Sequence, residues 1–148
     1  MKIEEEIKQS KFVSPHQKAV LNLLFTASWL QARHQQFFKS FGITTQQFNI
    51  LRILKGQHPK SLSAKEIKSR MLDQNSDVSR MLGRMLAKKL IQKQTCPADK
   101  RATDVFITEK GIELLNRVNK FQHDLDSTLQ LSESEATALS NLLDKSRG

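Results

Sequence analysis

The sequence predicts a mainly α-helical chain with one small antiparallel β-hairpin. Two observations predict this fold class. Between Ile67 and Gly111 the pattern indicates a helix, a turn, a second basic helix, a hairpin and a new helix. Residues 14–41 and 109–145, on either side, have the apolar spacing of helices. We therefore expect a single domain over 1–148, with a winged helix-turn-helix at 44–108 and dimerisation helices at 14–41 and 109–145.

Helix starts are marked by capping signals. Ser14 is followed by Pro15 and by Gln17, which is the pattern of a capping box with proline at the first helical position. The first helix should run to about Phe41 and end at Gly42. The same signal predicts further helix starts at Thr44 with Gln47, Ser63 with Glu66, and Ser132 with Glu135.

A basic helix should begin near Asn75. Val78, Met81, Leu82 and Met85 recur at helical spacing and form its predicted inner face. The opposite face can hydrogen-bond to bases and phosphates, because arginine grips guanine, aspartate accepts from cytosine and serine suits either target. The residues predicted on that outward face are Ser76, Asp77, Ser79, Arg80 and Arg84.

The hairpin follows directly. Residues 90–95 and 103–108 alternate as strands do, and the tip between them carries Pro97, Asp99, Lys100 and Arg101. A cationic tip suits the minor groove of DNA.

The charge is concentrated in the same region. Residues 52–101 hold 13 Lys and Arg against 4 Asp and Glu, whereas the rest of the chain holds 11 of each. The whole formal net charge of +9 therefore lies in the predicted winged helix-turn-helix. A local excess of this kind indicates a partner rich in phosphates, although a merely solvated basic surface would give the same count.

Other function classes fit the sequence less well. The four histidines, His16, His34, His58 and His123, stand apart from any metal-ligand spacing, and there is no phosphate loop or nucleophile elbow. We therefore expect no enzyme activity, metal or cofactor. The beginning MKIEEEIKQSK lacks the pattern of a signal peptide, and residues 19–32 are too polar to span a bilayer, so we expect a cytoplasmic protein without membrane contact.

The outer helices predict a homodimer. The first helix carries apolar residues around much of its circumference, more than one side can bury within a single chain. Near the other end, one apolar stripe repeats at spacings of four, three, four and four. Its members are Leu114, Val118, Phe121, Leu125 and Leu129. Packing within one chain remains the alternative.

Four short motifs, in order, resemble those of the MarR-type transcriptional regulators. They are Leu62-Ser63-Ala64, Ser76-Asp77-Val78-Ser79-Arg80, Asp99-Lys100-Arg101-Ala102 and Ile107-Thr108-Glu109-Lys110-Gly111. The resemblance covers residues 19–143 and implies a homodimeric repressor on a pseudo-palindromic double-stranded DNA operator, often released by a small aromatic or anionic ligand. Lys89 departs from the family, which usually has glycine before the wing, and this puts the local turn in question.

The resemblance and the outward faces together define the candidate sites. The predicted DNA-binding residues are Ser63, Lys65, Asn75, Ser76, Asp77, Ser79, Arg80, Arg84, Lys100 and Arg101, with Asp99 orienting Arg101. An effector site similar to those of the family would be lined by Trp29, Arg33, His34, Phe37 and Phe48, since a cation beside aromatic rings suits an anionic aromatic ligand. Two alternatives stay open: a winged helix that contacts RNA or protein, and a redox role for Cys96, the only cysteine.

Overall fold

The computed structural model describes the backbone of residues 1–96 and 98–148, and all of their side chains except those of Cys96 and residues 99–102. The chain forms two compact units, Met1–Phe48 and Asn49–Gly148. The helices are α1 (Ile3–Glu6), α2 (Pro15–Lys39), α3 (Thr45–Gln57), α4 (Ala64–Ser69), α5 (Val78–Ala87), α6 (Glu109–Asn119), α7 (Gln122–Asp126) and α8 (Glu133–Ser146), and the strands are β1 (Leu62–Ser63), β2 (Ile91–Cys96) and β3 (Asp99–Ile107). The predicted fold class is confirmed.

The helix α2 begins as predicted and ends slightly earlier. The Ser14 hydroxyl accepts a hydrogen bond from the backbone N–H of Gln17 at 3.0 Å, and Pro15 follows it. The Gln17 carboxamide accepts from Val13 N at 2.7 Å, so the expected reciprocal bond to Ser14 is replaced by one to the preceding residue. The helix ends at Lys39 rather than near Phe41, and Gly42 adopts a φ of +73° in the turn that follows.

Little of the apolar surface of α2 is fully buried. Of its 25 residues, Phe38 alone is buried, and its ring stacks on that of Phe48 at 4.4 Å between centroids. Val20 and Leu24 are 56% and 63% exposed. A helix with this much exposed apolar surface has room for a further packing partner.

The N-terminal segment is tied to the start of α2. The Glu4 carboxylate forms an ion pair with Lys18, and the Lys18 ammonium also lies 5.6 Å from the centroid of the Phe12 ring. The hydrogen bond from Lys18 is the main cause that lowers the pKa of Glu4 below its ordinary value.

The second unit contains a three-stranded antiparallel sheet with the strand order β1-β3-β2. In the hairpin, Ile91 pairs with Ile107 and Thr95 with Thr103, and the register becomes irregular between Thr95 and Cys96. The hairpin was predicted, whereas β1 was not. With only two residues, β1 has no alternating pattern, and it exists because Leu62 pairs with Val105 of β3.

The core of this unit lies between the sheet and the helices. The predicted inner face of α5 is confirmed, since Val78, Leu82 and Met85 are buried and Met81 is half-buried. The remaining buried apolar residues of the second unit are Ile50, Leu51, Leu54, Leu62, Ile67, Met71, Leu90, Ile91, Val105, Ile107, Leu114, Leu115 and Val118.

The apolar stripe predicted from Leu114 to Leu129 does not lie on one continuous helix. Leu114 and Val118 are buried within the chain, so they belong to its core. The helix then breaks between α6 and α7, and Phe121, which lies in the break, is 49% exposed. Only the part of the stripe beyond the break remains for another packing partner. In α8, by contrast, no residue is buried, and the predicted capping box is present between Ser132 and Glu135.

Candidate nucleic-acid interface

The turn between α4 and α5 is hydrogen-bonded to α3. The side-chain oxygen of Asn49, a buried residue, accepts a hydrogen bond from the backbone N–H of Leu72 at 2.9 Å. Within the turn, the Asp73 carboxylate accepts from Asn75 N at 2.9 Å. These bonds fix the path of the chain as it enters α5.

Ser76 does not face outward, and this part of the prediction is wrong. It is 6% exposed, and its hydroxyl donates to the backbone carbonyl of Asp73 at 2.8 Å. A buried hydroxyl must find such a partner, because leaving it unpaired is costly. Ser76 therefore stabilises the turn before α5.

The basic helix starts later than predicted. It begins at Val78, so Asn75 lies in the turn, where it is exposed. Asp77 is the N-cap, and its carboxylate accepts from the backbone N–H of Arg80 at 3.2 Å. The sequence near residue 75 contains several polar residues able to cap a helix, and only the structure selects Asp77.

The outward face of α5 is built as expected. Asp77, Ser79, Arg80 and Arg84 are all exposed, on the side opposite the buried Val78, Leu82 and Met85. Among the side chains that the structure describes, neither arginine of this face has an acidic partner within ion-pair distance. Both guanidinium groups are therefore available to bases or phosphates.

The helix α4 presents a second group of candidate residues. The Ser63 hydroxyl accepts from Glu66 N at 3.1 Å and caps the helix, while Lys65 on its first turn is exposed. A lysine beside a helix N-terminus adds positive charge where backbone N–H groups already attract anions.

The tip of the wing falls largely outside the described residues. The backbone of β3 includes Asp99, Lys100 and Arg101, but their side chains are not among those described, and neither are Pro97 and the Cys96 thiol. The predicted pairing of Asp99 with Arg101, the minor-groove role of the tip and any redox role of Cys96 stay predictions.

The predicted effector residues lie in the first unit and form two groups. The Arg33 guanidinium lies over the Trp29 ring, 4.7 Å from its centroid. Phe37 packs against Phe38 at 5.1 Å, and Phe38 in turn contacts both His34 and Phe48. An open cavity of about 580 Å³ does occur in the second unit, beside His58, Leu86 and Phe106, and none of the predicted effector residues lines it.

The turn that connects α5 to the wing keeps its form despite Lys89. This residue adopts a φ of +61°, the left-handed conformation that glycine would occupy without strain. Backbone bonds from Lys89 N to Leu86 O and from Leu90 N to Met85 O, both 3.0 Å, close the helix in the usual C-terminal motif. The departure at Lys89 therefore strains the turn without removing it.

Comparison with known proteins supports the arrangement. A family model described as "MarR family" matches residues 41–102, which include the helix-turn-helix and most of the wing. This segment is similar to the MarR family. The resemblance predicted from the four motifs is thereby confirmed, although Ser76 in the second motif is buried rather than outward-facing.

Longer similarities extend over most of the chain. The transcriptional regulator PecS of Dickeya dadantii is 26% identical over 109 residues, which are 72% of this chain and 66% of PecS. A MarR transcription factor from Planctomyces limnophilus is 26% identical, with a TM-score of 0.71 over 93% of this chain and 98% of that one. The MepR protein of S. aureus, solved with DNA, is 24% identical with a TM-score of 0.74 over 91% and 96% of the two chains, and shares the fold.

Two features are absent from the described part of the chain. Among the described residues, no group of three His, Cys, Asp or Glu side chains is placed to hold a metal ion. No helix in the described part of the chain combines the length and the apolar character needed to cross a bilayer.

Sequence reasoning missed residues that support the candidate interface without lying on it. Asn49 is a polar residue between the apolar Phe48 and Ile50, and that break in the pattern was the available signal. Thr108 and Gly111 were recognised as part of a motif, but their contacts with the turn after α5 could not be read from it.

Proposed function

We propose that this chain is a transcriptional repressor that binds a pseudo-palindromic site in double-stranded DNA as a homodimer. The helix α5 would enter the major groove, and Arg80 and Arg84 would contact base edges or the adjoining phosphates. Ser79 and Asp77 would lie beside them, with Ser63, Lys65 and Asn75 on the flanking phosphates. Ser76 is omitted because its hydroxyl already bonds to Asp73.

The observation that carries the proposal is the division of α5 into two faces. One face is buried in the second unit, and the other exposes two arginines that have no described acidic partner. Arginine in a helix-turn-helix is suited to major-groove recognition, because its planar guanidinium donates two hydrogen bonds to guanine. The local excess of basic residues over 52–101 would supply the general attraction to phosphates.

The test begins with selection of bound duplexes from a random pool, followed by binding measurements over a salt series. Arg80→Ala should weaken binding to the best duplex by about 1–3 kcal/mol and relax the preference at one position of each half-site. Arg147→Ala is the matched control, because Arg147 is exposed, lies far from α5 along the sequence and pairs with Asp144. Equal losses in both variants, or preferred binding of RNA over every duplex, would contradict the proposed mode of recognition.

The wing should contribute differently from α5. Arg101→Ala should weaken all duplexes to a similar degree and reduce the dependence of log K on log salt by roughly one unit per wing. Asp99→Ala should act in the same direction with a smaller loss, because Asp99 is proposed to orient Arg101. If Arg101→Ala leaves affinity and salt dependence unchanged, the hairpin does not contact DNA.

The homodimer would bury the exposed apolar residues of the outer helices. Val20, Leu23 and Leu24 of α2 and Leu139 and Leu142 of α8 are exposed to solvent in the single chain, and a second copy would remove that surface from water. Light scattering at micromolar concentration should give twice the chain mass of 17.0 kDa. Selected sites should be inverted repeats with half-site centres about 10 bp apart. A folded monomer that binds sites without a dyad would refute the dimer.

An anionic aromatic effector would bind near Trp29 and Arg33, with His34, Phe37 and Phe48 completing the site. The stacked pair of Trp29 and Arg33 supports this proposal, since such a pair offers a flat aromatic face beside a fixed cation. Trp29 is the only tryptophan, so its fluorescence reports on this site alone. Benzoate should change that fluorescence and release DNA, and Arg33→Ala should abolish both effects. If benzoate releases DNA without changing the fluorescence, the effector binds elsewhere.

A further inference from the structure

The end of α5 is joined to the start of α6 by a short set of hydrogen bonds. Three successive backbone carbonyls after the helix are involved, and each accepts a hydrogen bond from the first residues of α6 or the residue that caps it. Lys110 Nζ donates to Lys88 O at 3.0 Å, Thr108 Oγ1 donates to Lys89 O at 2.7 Å, and Thr108 N donates to Leu90 O at 3.1 Å. Carbonyls at a helix end lack partners within the helix, so these bonds satisfy groups that would otherwise need water.

The Thr108 hydroxyl bonds to both elements. It donates to the carbonyl of Lys89 and accepts from the backbone N–H of Gly111 at 3.1 Å, which makes Thr108 the N-cap of α6. A hydroxyl carries one hydrogen to donate and two lone pairs that accept, so both bonds can form together. The same oxygen therefore bonds to the turn after α5 and to the first turn of α6.

Gly111 brings the two elements into direct backbone contact. A Cβ atom at this position would lie 2.5 Å from Leu90 O and 2.8 Å from Ile107 Cγ1. Both distances are shorter than any normal contact, so a side chain here would push the start of α6 away from the turn after α5. The close approach leaves little freedom for one helix to rotate against the other.

We infer that Thr108, Lys110 and Gly111 are positioning residues that set which separation of DNA half-sites the protein accepts. This inference rests on the proposed function, in which α5 enters the major groove and the helices after α6 pair with a second copy. If α5 is held rigidly by α6, the joint between these two helices no longer lets the distance and angle between the two α5 helices of a dimer vary. These residues would then control specificity through geometry, without touching DNA.

The test uses three duplexes that carry the selected half-sites at the preferred separation and at one base pair less and more. One base pair changes the separation by about 3.4 Å and rotates one half-site by about 34° relative to the other. The wild-type protein should therefore bind the preferred duplex much more tightly than the other two. The quantity compared between variants is the ratio of the dissociation constants for shifted and preferred duplexes.

The informative variant is Thr108→Asp. Aspartate caps a helix as well as threonine does but, when ionised, has no hydrogen to donate to Lys89 O. The ratio should fall about 3- to 10-fold, which corresponds to the usual contribution of a single hydrogen bond. Thr108→Ser retains both bonds and should keep the wild-type ratio. Thr44→Ala removes a threonine N-cap from α3 and serves as the control for lost stability alone.

Lys110→Met provides a second route, because Lys110 is exposed and its loss should not impair folding. It should lower the ratio in the same direction by a smaller factor. If the wild-type protein binds no duplex selectively, the proposed function itself fails. The positioning role is overturned if the wild-type protein is selective and both Thr108→Asp and Lys110→Met remain equally selective. It is also overturned if Thr44→Ala lowers the ratio as much as Thr108→Asp does.

Discussion

Replacing Lys89 with glycine should stabilise the fold. Lys89 adopts a φ of +61° in the turn after α5, a left-handed conformation that costs an L-residue roughly 1–2 kcal/mol. The bonds that hold it there, from Lys89 N to Leu86 O and from Leu90 N to Met85 O, involve only backbone atoms. Glycine can make the same bonds, so the substitution should remove the strain and leave the turn intact.

The expected gain is the difference between two opposing effects. Glycine relieves about 1–2 kcal/mol of strain, but it costs about 0.5–1 kcal/mol because the unfolded chain gains freedom. The free energy of unfolding should therefore rise, by up to about 1.5 kcal/mol. Lys88→Gly is the matched control, since Lys88 is the preceding residue and has a φ of −80°. It carries no such strain, so the free energy of unfolding should fall by about 0.5–1 kcal/mol.

Urea unfolding followed by far-UV circular dichroism would measure both changes. All variants should be compared at one protein concentration, because an oligomer has a concentration-dependent stability. Both substitutions remove one lysine from the same turn, so the loss of one positive charge is common to both variants. If Lys89→Gly lowers the free energy of unfolding as much as Lys88→Gly, the left-handed residue is not strained and the reasoning is wrong.

Three other changes have expected outcomes. Asn49→Leu should lower the free energy of unfolding, measured in urea, by about 1–3 kcal/mol, because it leaves the backbone N–H of Leu72 without a partner. Asn49→Asp keeps an acceptor and should cost less. Equal losses in the two variants would show that the hydrogen bond to Leu72 does not stabilise the fold. Gly111→Ala should lower the melting temperature by several degrees, since its Cβ would lie 2.5 Å from a backbone carbonyl, and an unchanged value would show that the turn yields freely. The ion pair of Glu4 and Lys18 should stabilise the fold fully above pH about 4.5 and lose that effect as the pH falls through the lowered pKa of Glu4. A carboxyl titration by NMR should give a higher pKa for Glu4 in Lys18→Met than in the wild-type protein. An identical pKa in both proteins would rule out the ion pair.

The sequence by itself determined the local features of this protein. Helix starts at Ser14, Thr44, Ser63 and Ser132 were predicted because a capping side chain bonds to a backbone N–H only three residues away. The two strands of the hairpin and the buried face of α5 followed from periodicity, which is also local. The concentration of basic charge and the order of the four motifs were likewise visible in the printed sequence, and they indicated the family.

Only the tertiary structure decided whether a given polar or apolar side chain is exposed or is buried within its own chain. Ser76 has the side chain of a DNA-contacting residue, yet it is buried and bonds to Asp73. The apolar stripe after Leu114 looked continuous, but its first members are covered by the core of their own chain and the helix breaks after α6.

The same holds for contacts between residues far apart in the sequence. Asn49 meets Leu72 across 23 positions, and Thr108 meets Lys89 across 19. Periodicity and capping rules describe neighbours within about one turn of helix, so they cannot foresee such pairs. These long-range bonds tie the turns on both sides of α5 to α3 and to the start of α6, and such contacts form only once the core has packed.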